Sequence, residues 1–179
     1  TGEWNVGYGE SGGGLRTRVG GVNTTLYTGN GASAAFARTF HLNNPANILI
    51  SFKWRLVLAG TFESSEYGEA RFELDNQAYG VNGQNYLAHF TGRPTSNQDT
   101  GWRNYCVTLA LSGPADHVVE IGGFNNRKDA ANEYVDVYID DVSVVNLDAP
   151  TEFTPARVTV DDVANEIATY GGVFRGRPI

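Results

Sequence analysis

The amino-acid sequence predicts an all-β protein, an antiparallel two-sheet β-sandwich of the jelly-roll type. In residues 48–58 apolar side chains occupy every second position, and Ser51, Lys53 and Arg55 lie between them. Such alternation is typical of a strand with one buried face. Shorter alternating segments occur along the rest of the chain, and no long helical period occurs before about residue 160. Strands without crossover helices favour an antiparallel sandwich.

The other predicted strands are shorter and lie at the spacing that a sandwich requires. The Gly-rich stretch 7–30 is predicted to be mostly loop, with a short strand near residues 15–19. Alternating apolar positions mark further strands within residues 36–42, 72–74, 105–111, 119–121 and 135–145. Turn-forming residues bound each segment, which supports the assignment of separate strands.

The pattern changes after residue 145. Residues 157–160 are predicted as one more strand, and Asp161 is predicted to cap a short helix that ends at Tyr170. We therefore divide the chain into a β-sandwich module over residues 1–147 and a linker or C-terminal extension over residues 148–179.

Length, composition and charge narrow the class of protein. The chain has 179 residues, enough for one domain with its own core. Its net charge of −7 and isoelectric point near 4.9 disfavour binding to nucleic acid. The longest apolar stretch contains Lys53 and Arg55 and falls short of the roughly 20 apolar residues of a membrane span, so no membrane insertion is expected. The chain lacks methionine and starts at Thr1, which suggests a monomeric module of a larger protein.

The single cysteine, Cys106, excludes an internal disulfide and a cysteine-based zinc cluster. It lies in an alternating segment without a nearby base, so we predict a small buried hydrophobic residue and not a nucleophile. The three histidines lie on separate predicted elements and belong to no catalytic motif. The sequence therefore shows no catalytic triad.

A break in alternation marks the last predicted strand. The inward positions Val135, Val137 and Ile139 lose phase at Asp140 and Asp141 and resume one residue later. A β-bulge produces such a slip and can direct an extra side chain or carbonyl away from the ladder. We predict that these two carboxylates serve a metal, or else discourage edge pairing or cap a turn.

Two polar loops are predicted to meet at one end of the sandwich. The first follows the long strand and contains Glu63 and Glu66. The second leads into the last strand and contains Asn125, Asn126, Asp129 and Glu133. If the long strand and the last strand pair antiparallel, these loops meet and gather hard oxygen atoms of the kind that Ca²⁺ binds with six to eight ligands. The alternative is a pair of solvated acidic loops.

Several motifs resemble the carbohydrate-binding-module-like jelly-roll domains of secreted bacterial proteins, including the ligand-binding domains of large calcium-dependent RTX-type adhesins. The matching segments are residues 36–40, 50–54, 63–67, 101–102, 122–126, Glu133 and 137–142. The closing Ile-Asp-Asp-Val strand is moderately specific, because many sandwich modules that bind glycans or proteins end in this way, and it supports the fold better than it supports a ligand. The resemblance implies a non-catalytic, extracellular domain that keeps one or more calcium ions and holds sugars or peptide ends.

Four residues are candidates for contact with such a ligand. Tyr67 and Tyr138 could stack on a sugar ring, and Tyr138 is predicted to point out of the core because it alternates with Val137 and Ile139. Arg127 and Lys128 lie in the second polar loop and could receive a carboxylate or uronic acid, or could be solvated.

The function predicted from these residues and from the resemblance is a non-catalytic, secreted or cell-surface adhesion module. It would bind a cell-surface glycan or a protein or peptide end with the help of Ca²⁺. Two alternatives stay open. The first is a fragment of a polysaccharide-degrading enzyme, because the acidic residues include pairs that could stand at catalytic separation. The second is a purely structural calcium-binding spacer of an adhesin.

Overall fold

The computed structural model describes residues 1–21 and 31–148. Within these ranges the chain forms eleven strands and no helix. The strands are β1 (Gly2–Asn5), β2 (Gly14–Gly21), β3 (Ala32–Leu42), β4 (Ala46–Leu58), β5 (Tyr67–Leu74), β6 (Gln77–Tyr79), β7 (Ala88–Thr91), β8 (Gln98–Asp99), β9 (Arg103–Leu111), β10 (Ala115–Asn125) and β11 (Glu133–Asn146). The strand predicted at 157–160 and the helix predicted from Asp161 lie outside the described residues.

The strands form two antiparallel sheets that pack face to face. The first sheet has the order β1-β2-β11-β4-β8, and β9 also pairs with β4. The second has the order β3-β10-β5-β6, and β7 also pairs with β5. The predicted all-β, two-sheet antiparallel sandwich is therefore confirmed. The described residues include no helix that is long and apolar enough to span a membrane.

The core lies between the sheets and follows the alternation of the sequence. In β4 every second residue is buried, and Ile50, Leu56 and Leu58 are completely inaccessible. The Phe52 and Phe72 rings, one from each sheet, have centroids 5.4 Å apart. Burial of each such side chain contributes about 1.5–3 kcal/mol. This apolar layer holds the two sheets together.

Cys106 lies on the outer face of the first sheet, and its prediction as a buried residue is wrong. It is exposed and stands opposite Ser51 of β4, whereas its neighbour Tyr105 points into the core. The alternation of β9 explains this placement, because consecutive side chains of a strand point to opposite faces.

Strand β11 lies between β2 and β4 and contains the predicted bulge. Its register with β4 runs unbroken to Asp140, which pairs with Lys53, and resumes at Ser143. Asp141 has a φ of +50°, within the left-handed region. The extra residue restores Val142 and Val144 to the core side. Antiparallel pairing also sets the end of β4 beside the start of β11, so the loops at those points meet.

Candidate metal centre

Four carboxylates converge where the two polar loops meet. Glu63 and Glu66 lie between β4 and β5, Asp129 lies between β10 and β11, and Glu133 is the first residue of β11. Each offers one oxygen, and these four atoms all lie within 4.8 Å of one another. Glu66 and Glu133 are completely buried, whereas Glu63 and Asp129 are exposed. We call these four residues the acidic cluster.

Hydrogen bonds join the two loops around the acidic cluster. The Asn126 side chain accepts the N–H of Tyr67 at its Oδ1 (2.7 Å) and donates from its Nδ2 to the Ser65 carbonyl (3.2 Å). The Asn126 N–H also donates to the Tyr67 carbonyl. Asn126, predicted as a metal ligand, instead uses its side-chain amide to fasten one loop to the other.

Glu133 organises its own loop with one of its two oxygens. Its Oε2 accepts the N–H groups of Asp129 (2.7 Å) and Ala130 (2.8 Å). Glu66 does the same in the first loop, where its Oε2 accepts the N–H of Glu63 (3.0 Å). Each buried glutamate therefore holds its loop with one oxygen and directs the other oxygen elsewhere.

The remaining oxygens of these glutamates lack hydrogen-bond donors. Glu66 Oε1 and Glu133 Oε1 have none in the part of the chain that the structure describes. Asn125, the last residue of β10, likewise has no donor for its Oδ1 and no acceptor for its Nδ2 among the described residues. All three residues are completely buried. The guanidinium group of Arg127 lies close to Glu66, with its Nε 3.5 Å from Glu66 Oε1. A buried polar atom without a partner costs about 1–3 kcal/mol, so a group bound at the two glutamate oxygens would stabilise the folded protein.

Burial and neighbouring negative charges affect the ionisation of the acidic cluster. Burial raises the pKa of Glu66 to about 7. A side-chain hydrogen bond with Glu63 and the charges of Glu133 and Glu63 add to the rise, whereas the hydrogen bond from the Glu63 backbone N–H opposes it. Carboxylates this close cannot all ionise without a compensating positive charge. The carboxylate oxygens of the cluster are hard ligands of the kind that Ca²⁺ binds.

Asp140 and Asp141 lie outside the acidic cluster and have other partners, contrary to the predicted metal role. Asp140 Oδ2 accepts the N–H of Glu10 (2.9 Å), and its Oδ1 accepts the N–H of Asp141 (2.9 Å). Asp141 Oδ2 lies 3.0 Å from Lys53 Nζ. The carboxylates of the bulge therefore anchor the N-terminal loop and form an ion pair.

The predicted ligand residues Arg127 and Lys128 lie beside the acidic cluster in different environments. Arg127 is partly exposed, and its Nε donates to Asp129 Oδ2 (2.9 Å). Lys128 is buried, contrary to the expectation of a solvated or ligand-facing side chain, and its Nζ donates to the Ala130 carbonyl (2.7 Å). Arg127 alone of the two can meet a ligand at the surface.

The two predicted aromatic platforms also differ. Tyr67 directly follows Glu66 and stacks on His89 with ring centroids 4.6 Å apart. Tyr138 points out of the core as predicted, but Tyr8 contacts its ring edge-on at 5.5 Å and Arg55 lies 5.6 Å from its centre. The outer face around Tyr138 is therefore a packed aromatic and ion-pair network, not an open platform.

One further acidic side chain, Glu69, lies next to this site and has partners that the sequence did not predict. Glu69 lies in β5, and its side chain is on the outer face of the second sheet. It accepts hydrogen bonds from Arg71 (2.8 Å) and lies 3.0 Å from His89 Nδ1. The alternation of Tyr67, Glu69 and Arg71 with the core-facing Ala70 and Phe72 indicates this placement, and the neighbouring side chains bury Glu69 there.

Comparison with known proteins does not assign the chain to a family. No model of a known protein family matches the sequence, and no curated protein matches it. The class that the fold and the site define is a β-sandwich with a buried acidic cluster at one end.

Proposed function

We propose that the chain is a non-catalytic, extracellular adhesion module in which Ca²⁺, bound by the acidic cluster, orders the loops that contact a glycan or a protein or peptide end. The observation that carries the calcium role is the pair of buried carboxylate oxygens without donors, Glu66 Oε1 and Glu133 Oε1, within the acidic cluster. Two further carboxylates, from Glu63 and Asp129, stand on the exposed side of the same cluster.

The geometry supports a link between the ion and a ligand. The two loops that would bind the ion are joined through Asn126 to Tyr67, and Arg127 is bonded to Asp129. An ion that fixes the loops would therefore also fix one partly exposed aromatic ring and one guanidinium. A planar ring and a guanidinium suit a sugar ring and a carboxylate, respectively.

The enzyme alternative has one observation in its favour, the raised pKa of Glu66, because a glycosidase acid needs a raised pKa. Against it, Glu66 is completely buried and cannot reach a glycosidic bond. We therefore favour the binding module over the hydrolase.

The first test compares thermal unfolding in millimolar calcium and in excess chelator for the protein and for Glu63→Gln. Glu63 is exposed, so the substitution should leave stability in chelator within about 0.5 kcal/mol of the parent. Calcium should raise the melting temperature of the parent and raise that of Glu63→Gln much less. Glu10→Gln, which removes the same charge outside the acidic cluster, should keep the full calcium shift.

Absence of any calcium shift in the parent would overturn the metal role. Arrays of glycans and peptides, read in calcium and in chelator, then separate the remaining functions. Calcium-dependent retention of a glycan or peptide supports the module, calcium binding without any retained ligand supports the spacer, and new reducing ends from polysaccharides support the enzyme.

A further inference from the structure

A buried histidine lies at the end of the sandwich opposite the acidic cluster. His117 is the third residue of β10, and its side chain is buried, with 4% of the residue exposed. Its ring centroid lies 5.5 Å from that of Phe40 of β3. Two further segments contact the ring: the β5–β6 turn through Asp75, and the residue that follows β9, Ser112.

Both ring nitrogens of His117 face acceptors. Nε2 lies 2.8 Å from the Ser112 carbonyl oxygen, and Nδ1 lies 2.7 Å from Asp75 Oδ2. A carbonyl oxygen only accepts, so Nε2 carries a proton. Asp75 already accepts the Val118 N–H at its Oδ1 (2.8 Å), as a carboxylate does. With Asp75 ionised and the ring protonated, Nδ1 also donates, and both ring nitrogens then have an acceptor.

This arrangement fastens a hairpin turn to the neighbouring strand. Asp75 and Asn76 form the β5–β6 turn, with φ values of +54° and +65°. The Asp75 N–H donates to the Val118 carbonyl (3.0 Å), which complements the bond from the Val118 N–H to the Asp75 side chain. When Nδ1 lacks its proton, its lone pair faces the carboxylate, and the Asp75 side chain loses one of its two hydrogen bonds.

We propose that His117 and Asp75 form a pH-sensitive clamp, which ties the β5–β6 turn to β10 while the imidazole is protonated and releases it when the proton is lost. The charged groups around the ring are Asp75 from the turn and Asp116 from β10, and Asp116 also lies 2.7 Å from Nδ1 of the exposed His41 on β3. The clamp does not depend on the acidic cluster or on calcium.

The balance of forces on the ring favours the charged form. Burial alone lowers the pKa of His117, but the hydrogen bonds to Asp75 and Ser112 and the charges of Asp75 and Asp116 raise it above its ordinary value of 6.5. A raised pKa means that the clamp contributes its full stability below pH 6.5 and loses it as the pH rises through the folded-state pKa.

Nuclear magnetic resonance of the intact chain tests the clamp. We expect the His117 ring to titrate above pH 6.5 and the Val118 amide to lose protection from hydrogen exchange, after correction for intrinsic rates, as the ring loses its proton. The protection factor should fall about tenfold for each unit by which the pKa of His117 exceeds 6.5. Ile121, further along β10, should keep its protection.

Two variants make the result decisive. Asp75→Asn keeps a residue that tolerates positive φ but removes the charge, so it should lower the pKa of His117 and remove most of the pH dependence at Val118. His41→Gln changes an exposed histidine that also pairs with an aspartate, and it should leave the Val118 profile unchanged. Titration of His117 at or below 6.5, or unchanged Val118 protection across its titration, would overturn the clamp.

Discussion

The stability of the calcium-free protein should fall as the pH rises from about 4.5 to 7, because of Glu66. The pKa of this buried carboxyl rises from 4.5 to about 7 on folding, chiefly through burial. A carboxyl with a raised folded-state pKa contributes stability below its unfolded pKa and loses it as the pH rises through the folded value. At about 1.4 kcal/mol per unit, the loss is roughly 3 kcal/mol.

The assay is urea or thermal unfolding at pH 5 and pH 8 in excess chelator. For a chain of this size a change of 3 kcal/mol corresponds to roughly 6–12 °C in melting temperature. Glu66→Gln keeps the shape of the side chain and removes its titration, so its stability should change much less between these two pH values. At pH 8 in chelator it should be more stable than the parent.

Calcium should reverse the ranking of the two proteins. A cation bound by the cluster stabilises the ionised form of Glu66, so the parent should lose little stability between pH 5 and pH 8 in millimolar calcium. Glu66→Gln lacks one carboxylate of the cluster and should gain much less from calcium. If the parent and Glu66→Gln show the same pH dependence in chelator, the account of the buried carboxylate is wrong.

Two further predictions concern residues outside the acidic cluster. Asp140→Ala removes the acceptor of the Glu10 and Asp141 N–H groups. Urea unfolding should show that the free energy of unfolding falls by about 1.5–3 kcal/mol, equally in calcium and in chelator. A fall seen only in calcium would mean that Asp140 takes part in metal binding. Gly68→Ala places a Cβ 2.5 Å from a Val135 methyl group between the sheets. The resulting overpacking should lower the free energy of unfolding by about 1–3 kcal/mol in the same assay. Unchanged stability would mean that the sheets can separate locally.

The fold could be predicted because its signal is local. Alternation within β4 specifies which face is buried, and the same argument locates the bulge at Asp140 without knowledge of any other strand. The meeting of the two polar loops followed from one further assumption, the antiparallel pairing of β4 with β11, which the register confirms. The sequence also contained the signal for the exposure of Cys106, since it alternates with the buried Tyr105.

The partners of individual side chains were harder to predict because they come from distant parts of the chain. Asp140 is held by the N–H of Glu10, 130 residues away, and Tyr138 is covered by Tyr8 from the same N-terminal loop. No local pattern in β11 specifies these contacts. For Lys128, the acidic loop suggested solvation, but the tertiary fold buries the side chain over the Ala130 carbonyl.

The two ends of the sandwich respond to pH with the same sign for different reasons. Glu66 is destabilised when charged because it is buried among other carboxylates, whereas His117 is stabilised when charged because Asp75 and Ser112 accept from both nitrogens. Both groups therefore favour the folded state in their protonated form. A bound cation can replace the proton only at Glu66. Any loss of stability above pH 6.5 that persists in calcium and disappears in Asp75→Asn must then arise at the histidine end, so the two sites can be measured independently in one protein.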